Sequence, residues 1–107
     1  MKYSITFTPK ARQNINDIAV AIFSLSKNNS VTIKIIDRLT NAINQLADFP
    51  LSGKLPIDVN LLNLGYRYLI ERDYLIFYKV DSDSGIVNIQ AILNGKTDYV
   101  KWIANNI

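Results

Sequence analysis

Tyr74-Leu75-Ile76-Phe77-Tyr78-Lys79-Val80 is the stretch that decides the fold. It is a run of aromatic and β-branched residues bounded by polar breaks, Arg72-Asp73 before it and Asp81-Ser82-Asp83-Ser84-Gly85 after it. That composition and length read as a strand. Similar runs lie on either side, Tyr66–Glu71 upstream and Ile86–Leu93 downstream. Three consecutive strands with short breaks form an antiparallel meander. Arg-Asp is a poor pair for a tight primed turn, so the first break is expected to hold a bulge or a wider loop. The second is a looser turn closed by Gly85.

Upstream, residues 51–65 carry Pro56, Gly53 and Gly65 and read as loop with one short turn near 57–64. Before that loop the period changes. Ala11, Ile15, Ile18, Ile22 and Leu25 form a stripe on a helix of about 18 residues, opened by Thr8 as cap and Pro9 at the first helical position. Lys27-Asn28-Asn29-Ser30 should end it: a cation in the last turn, an asparagine suited to left-handed backbone, then a serine capping the next helix. The second helix is expected over 31–48, with Ile35/Ile36, Leu39, Ala42/Ile43 and Leu46 on one face and Pro50 enforcing the stop. Residues 2–8 alternate Tyr3, Ile5 and Phe7 with polar neighbours, which is a half-buried strand. Downstream, Asn94-Gly95 ends the meander, and Asp98–Asn105 forms a short helix carrying Tyr99 and Trp102.

The predicted order is β-α-α-β-β-β followed by a short helix. This is an α+β fold in which an N-terminal strand and a helical hairpin accompany a small antiparallel sheet, with the whole chain, residues 1–107, as one domain. At 107 residues such a domain buries roughly 65% of its unfolded surface without staples.

Composition removes many functions. There is no Cys and no His among the 107 residues, so no thiol nucleophile, no cysteine zinc site and no imidazole base. The four glycines are scattered and cannot build a phosphate-cradling loop. No metal and no cofactor are implied. Any chemistry must use Lys, Arg, Tyr, carboxylates or hydroxyls. No targeting segment or membrane span is legible, and the default is a cytoplasmic protein with no membrane partner. The formal charge of +3 is mild, and all of it lies in residues 1–50, where six cations face three acids. Residues 51–107 balance six against six. Arg67 stands out, because it sits within a strand among apolar neighbours and needs a carboxylate, phosphate or carbonyl partner.

The hairpin can cover only one sheet face. Assigning Tyr74, Ile76, Tyr78 and Val80, with Val87, Ile89, Ala91 and Leu93, to that face leaves Leu75 and Phe77 on the other beside Lys79. Either the C-terminal helix covers this pair through Trp102 and Ile103, or a partner does.

Leu64-Gly65-Tyr66-Arg67-Tyr68-Leu69-Ile70, Tyr74–Val80, and Ile89-Gln90-Ala91-Ile92-Leu93-Asn94-Gly95-Lys96-Thr97-Asp98 together resemble the RelE/ParE superfamily of bacterial toxins. The helical hairpin and Phe49-Pro50-x-x-Gly53 match too, so the resemblance spans nearly the whole chain. It implies the toxin half of a type II toxin–antitoxin pair that arrests growth, neutralised by a cognate acidic antitoxin and assembling with it as a heterotetramer. It also implies one of two targets: the ribosome with its mRNA, cut by a metal-independent endoribonuclease (an mRNA interferase), or DNA gyrase, poisoned without cleavage of RNA. Where the nucleases carry arginines this chain has Leu75 and Thr97, and near their terminal tyrosine it has Ile103; Lys96 alone is retained. Those departures favour the gyrase-directed reading slightly. The third reading is a non-toxic module that only binds an antitoxin. Candidates for chemistry are Arg67, Arg72, Lys96 and Tyr99. Lys54, Lys79, Leu75 and Phe77 are the candidate target contacts, and Lys27, Lys34 and Arg38 the candidate antitoxin contacts.

Overall fold

The computed structural model of the chain describes residues 2–107. The elements run β1 (Ser4–Phe7), α1 (Pro9–Ser26), α2 (Asn29–Asn44), a single 3₁₀ turn (Gln45–Ala47), α3 (Val59–Asn63), β2 (Tyr66–Glu71), β3 (Tyr74–Asp81), β4 (Ile86–Asn94) and α4 (Tyr99–Asn106). The sheet order is β1-β4-β3-β2. The meander is antiparallel as expected, while β1 joins its edge parallel to β4, so the sheet is mixed. Thr8 caps α1 by accepting from the Ala11 amide at 3.0 Å, with Pro9 entering the first turn.

The link between the helices is tighter than expected, with both roles taken by earlier residues. Lys27, not an asparagine, takes the left-handed backbone (φ 54°) and donates its amide to Phe23 O, and Asn28 rather than Ser30 caps α2 through its side-chain oxygen. The shift follows from tightness: with Asn28 spent as cap, Lys27 is the residue left to reverse the chain.

Two further corrections concern the sheet. Arg72-Asp73 is a two-residue turn, with Glu71 paired to Tyr74 and Arg72 at φ 54°, instead of a bulge or wide loop. The bulge lies in β4: Phe77 pairs with Ala91 and Tyr78 with Ile89, leaving Gln90 as the extra residue. Beyond Gln90 the alternation slips by one. Val87 and Ile89 face the helical hairpin with Ile76 and Tyr78, but Ala91 and Leu93 turn to the opposite face and Ile92 replaces them. The backbone freed by the bulge is satisfied from outside the sheet. Thr8 Oγ1 donates to Gln90 O at 3.1 Å, and Asn14 Oδ1 accepts from the Ile92 amide at 3.0 Å.

The molecule therefore has two cores. Ala11, Leu39, Ile43 and Leu46 pack against the hairpin face of the sheet. On the far face, α4 and α3 bring Ile103 and Leu61 against Tyr66, Phe77, Ala91 and Leu93. Phe77 is fully buried there, with Tyr66, Tyr68 and Tyr99 rings at 6.4, 5.6 and 5.1 Å. Its expected availability as a target contact is not met, because the chain's own C-terminal helix covers it. No helix among the described residues is long and apolar enough to cross a membrane.

Candidate functional site

Two of the four candidate catalytic residues meet at one end of the sheet. Arg72, in the β2–β3 turn, and Lys96, just after β4, line a cavity of about 380 Å³ with Asp73, Leu75, Asn94 and Gly95. The local chain is held by backbone chemistry. Gly95 donates to Asp73 O at 2.7 Å, and Asn94 Oδ1 accepts from the Lys96 amide at 2.9 Å. A Cβ at Gly95 would lie 3.4 Å from that Asp73 carbonyl, an ordinary contact distance. Both cations are exposed. The ion pair here, Arg72 Nε to Glu71 Oε1 at 3.7 Å, is long, joins an exposed arginine to a half-buried glutamate, and leaves Arg72 able to bind an anion. Leu75 forms the apolar wall.

The other candidates lie apart. Arg67 is five residues from Arg72 along β2, about 17 Å at strand rise. Its guanidinium donates to Leu51 O at 3.3 Å and Gly53 O at 3.1 Å, so its predicted need is met by carbonyls of its own chain. Tyr99 opens α4 and lies against Phe77, outside the lining of the Arg72–Lys96 cavity. Lys54 is exposed and extends the sheet by one bridge, exchanging backbone bonds of 2.8 and 3.0 Å with Tyr68. Lys79 lies 4.6 Å above the Tyr66 ring, at the base of a cleft of about 330 Å³ between α3 and α4. Burial raises the Tyr66 phenol above its usual range. Arg38 shares a cavity of about 200 Å³ with Glu71, Arg72 and Tyr74, whereas Lys27 lies at the far tip of the hairpin and Lys34 in the second turn of α2.

Reading by composition missed the group that organises the loop after α2. The Tyr78 hydroxyl accepts from the Gly53 amide and donates to Pro50 O, both at 2.9 Å. Gly53 is buried against that ring, and a Cβ there would overlap the tyrosine. With Tyr78 in this position, only a glycine fits at 53 without a shift of the ring. Burial raises the Tyr78 phenol, partly offset by the Gly53 amide and by Arg67.

Comparison with known proteins agrees with this architecture. The chain matches the family model described as ParE toxin of type II toxin-antitoxin system, parDE, over residues 5–99. The chromosomal ParDE system of P. aeruginosa superposes with a TM-score of 0.69 at 18% identity, covering 87% of this chain and 96% of that one. A mutant of the E. coli toxin RelE in the free state gives 0.65 at 14%, covering 98% and 96%. The RelBE2 toxin–antitoxin complex of Mycobacterium tuberculosis gives 0.62 at 18%, covering 88% and 99%. No curated protein matches the chain. The family match spans the strand, hairpin and meander, most of the sequence: the chain belongs to the ParE family of type II toxin–antitoxin toxins.

Proposed function

We propose that this toxin acts by inhibiting DNA gyrase and not by cutting mRNA, and that an acidic antitoxin neutralises it. The observation that carries the reading is the make-up of the Arg72–Lys96 cavity. RNA cleavage by 2′-hydroxyl attack needs a base, an acid and donors for the phosphorane. The cavity offers two cations, an apolar wall at Leu75 and a carboxylate, Asp73, whose charge opposes a phosphate. Arg67, which would be the third cation, is spent on the Leu51 and Gly53 carbonyls. Such a mixed surface, two cations and a carboxylate beside an apolar wall, suits contact with a protein surface of mixed charge better than an in-line phosphoryl transfer.

The antitoxin reading rests on charge. Between Asp17 and Asp37 the hairpin carries Lys27 and Lys34 and no acid, with Arg38 one turn beyond Lys34, and Val20, Phe23 and Ile33 are exposed along it. An acidic amphipathic segment that folds on binding complements that surface. The deciding experiment runs purified toxin in two assays, gyrase supercoiling and translation on programmed ribosomes. Loss of supercoiling with intact mRNA is expected. Codon-phased mRNA cuts with unaffected gyrase would overturn the proposal in favour of the nuclease.

A further inference from the structure

Five large apolar side chains within residues 49–59 lie more than half in solvent: Phe49 (65%), Leu51 (61%), Leu55 (55%), Ile57 (91%) and Val59 (65%). A run of this kind is uncommon on a surface that meets only water. It is also held still. Gly53 is fixed by the Tyr78 hydroxyl, Lys54 by two backbone bonds to Tyr68, and the carbonyls of 51 and 53 by Arg67. An arm already ordered loses little entropy on docking.

Its charge pattern selects the occupant. The arm carries one cation, Lys54, and one acid, Asp58, and nothing else ionisable between 49 and 59. That does not complement an acidic segment, which the hairpin tip with Lys27 and Lys34 serves better, nor a phosphate backbone. It complements itself. Positions 54 and 58 are symmetric about Pro56, so two arms laid antiparallel across a two-fold axis at Pro56 bring Lys54 of each copy to Asp58 of the other and Leu55 to Ile57. That is the reciprocal arrangement an isologous interface requires. One oxygen of Asp58 is used in capping α3, accepting from the Leu61 amide at 3.0 Å, and the other is left for the ammonium.

We infer that the toxin pairs with a second copy of itself through the 49–59 arm. The inference stands apart from the identity of the cellular target. Its test is sedimentation velocity on the full chain from micromolar to submillimolar concentration. Wild type should shift from monomer to dimer across that range. Ile57→Glu, at a side chain that packs on nothing in its own fold, should keep its melting temperature and weaken the dimer about tenfold or more. Lys54→Glu alone sets two acids against each other and Asp58→Lys alone sets two lysines, so each should be monomeric, whereas an equimolar mixture should dimerise. A wild-type monomer throughout, or a mixture no more associated than either variant, overturns the inference. Asp58→Lys also removes the α3 cap; if it fails to fold, dimerisation retained in both Ile57→Glu and Lys54→Glu overturns it.

Discussion

Removing one oxygen atom at Tyr78 probes the device that anchors the loop after α2. In Tyr78→Phe the ring keeps its place in the core, while the Gly53 amide loses its acceptor and Pro50 O its donor. The two orphans differ. Gly53 is buried, so its N–H has no recourse to water, but Pro50 is half-buried and its carbonyl can be rehydrated. A buried donor left unsatisfied costs about 1–3 kcal/mol, which places the loss near 2 kcal/mol. For a domain of this size that is a fall in melting temperature of about 8–10 °C. The pH dependence gives a second reading. Burial raises the Tyr78 phenol above its ordinary value of 10.0. A raised pKa means that the folded state favours the protonated hydroxyl, the form that donates to Pro50. Its contribution is therefore complete below pH 10 and is lost as pH rises through the shifted value. Tyr66 and Tyr74 are shifted the same way, so wild type should lose stability above pH 10, and the gap between wild type and Tyr78→Phe should narrow there. Thermal melts by circular dichroism from pH 7 to above 10 measure both effects. A variant melting within about 2 °C of wild type at pH 7 would refute the view that this hydroxyl staples the loop.

Three other outcomes follow from the same contacts. Asn14→Ala leaves the Ile92 amide without its acceptor beside the β4 bulge and should cost about 1–2 kcal/mol in chemical denaturation, with no change in toxicity per folded molecule. Lys96→Ala, at an exposed residue of the Arg72 cavity, should keep its melting temperature and weaken gyrase inhibition about tenfold, whereas Arg67→Ala should lower the melting temperature by freeing the 51–53 carbonyls; the reverse pattern would move the site to Arg67. Arg38→Glu should slow antitoxin association several-fold at low salt, with the difference closing near 1 M salt, read by stopped-flow fluorescence; an unchanged on-rate removes Arg38 from the encounter surface.

Local periodicity made most of this architecture legible, and the exceptions share a cause. The three strand runs are short-range signals, and the structure follows them; the α1 stripe holds from Ala11 to Ile22 but leaves Leu25 in solvent, and the second helix, expected over 31–48 with Pro50 as its stop, runs Asn29–Asn44 and tightens into a 3₁₀ turn at Gln45–Ala47 before the proline is reached. The direction of β1 is not short-range: four residues alternate identically whichever way the strand runs, and only packing of α1 across β4 makes it parallel. The β4 slip is subtler. Val87, Ile89, Ala91 and Leu93 look like one continuous face, but Ile92 interrupts the polar set, so Ala91-Ile92-Leu93 is apolar without a break. An unbroken apolar run marks a strand covered on both faces. Leu75-Ile76-Phe77-Tyr78 says the same of β3, and the two runs pair with each other where both helical layers close over the sheet.

The sequence names candidate cations by their chemistry but does not place them. Arg67, Arg72 and Lys96 are equally plausible cations in a list of residues, and only the fold separates them. The two-residue turn swings Arg72 to the end of the sheet where β4 delivers Lys96, while the register of β2 sets Arg67 opposite Tyr78, beside the loop that Tyr78 already grips. One strand thus supplies a cation to the surface at its turn and another to the scaffold five residues earlier. The same division explains why Phe77 could not serve a partner. A phenylalanine in the central strand, ringed by Tyr66, Tyr68 and Tyr99, is the seat on which α4 rests, whereas Arg72, Leu75 and Lys96 line a cavity at the end of the sheet that the helix does not line.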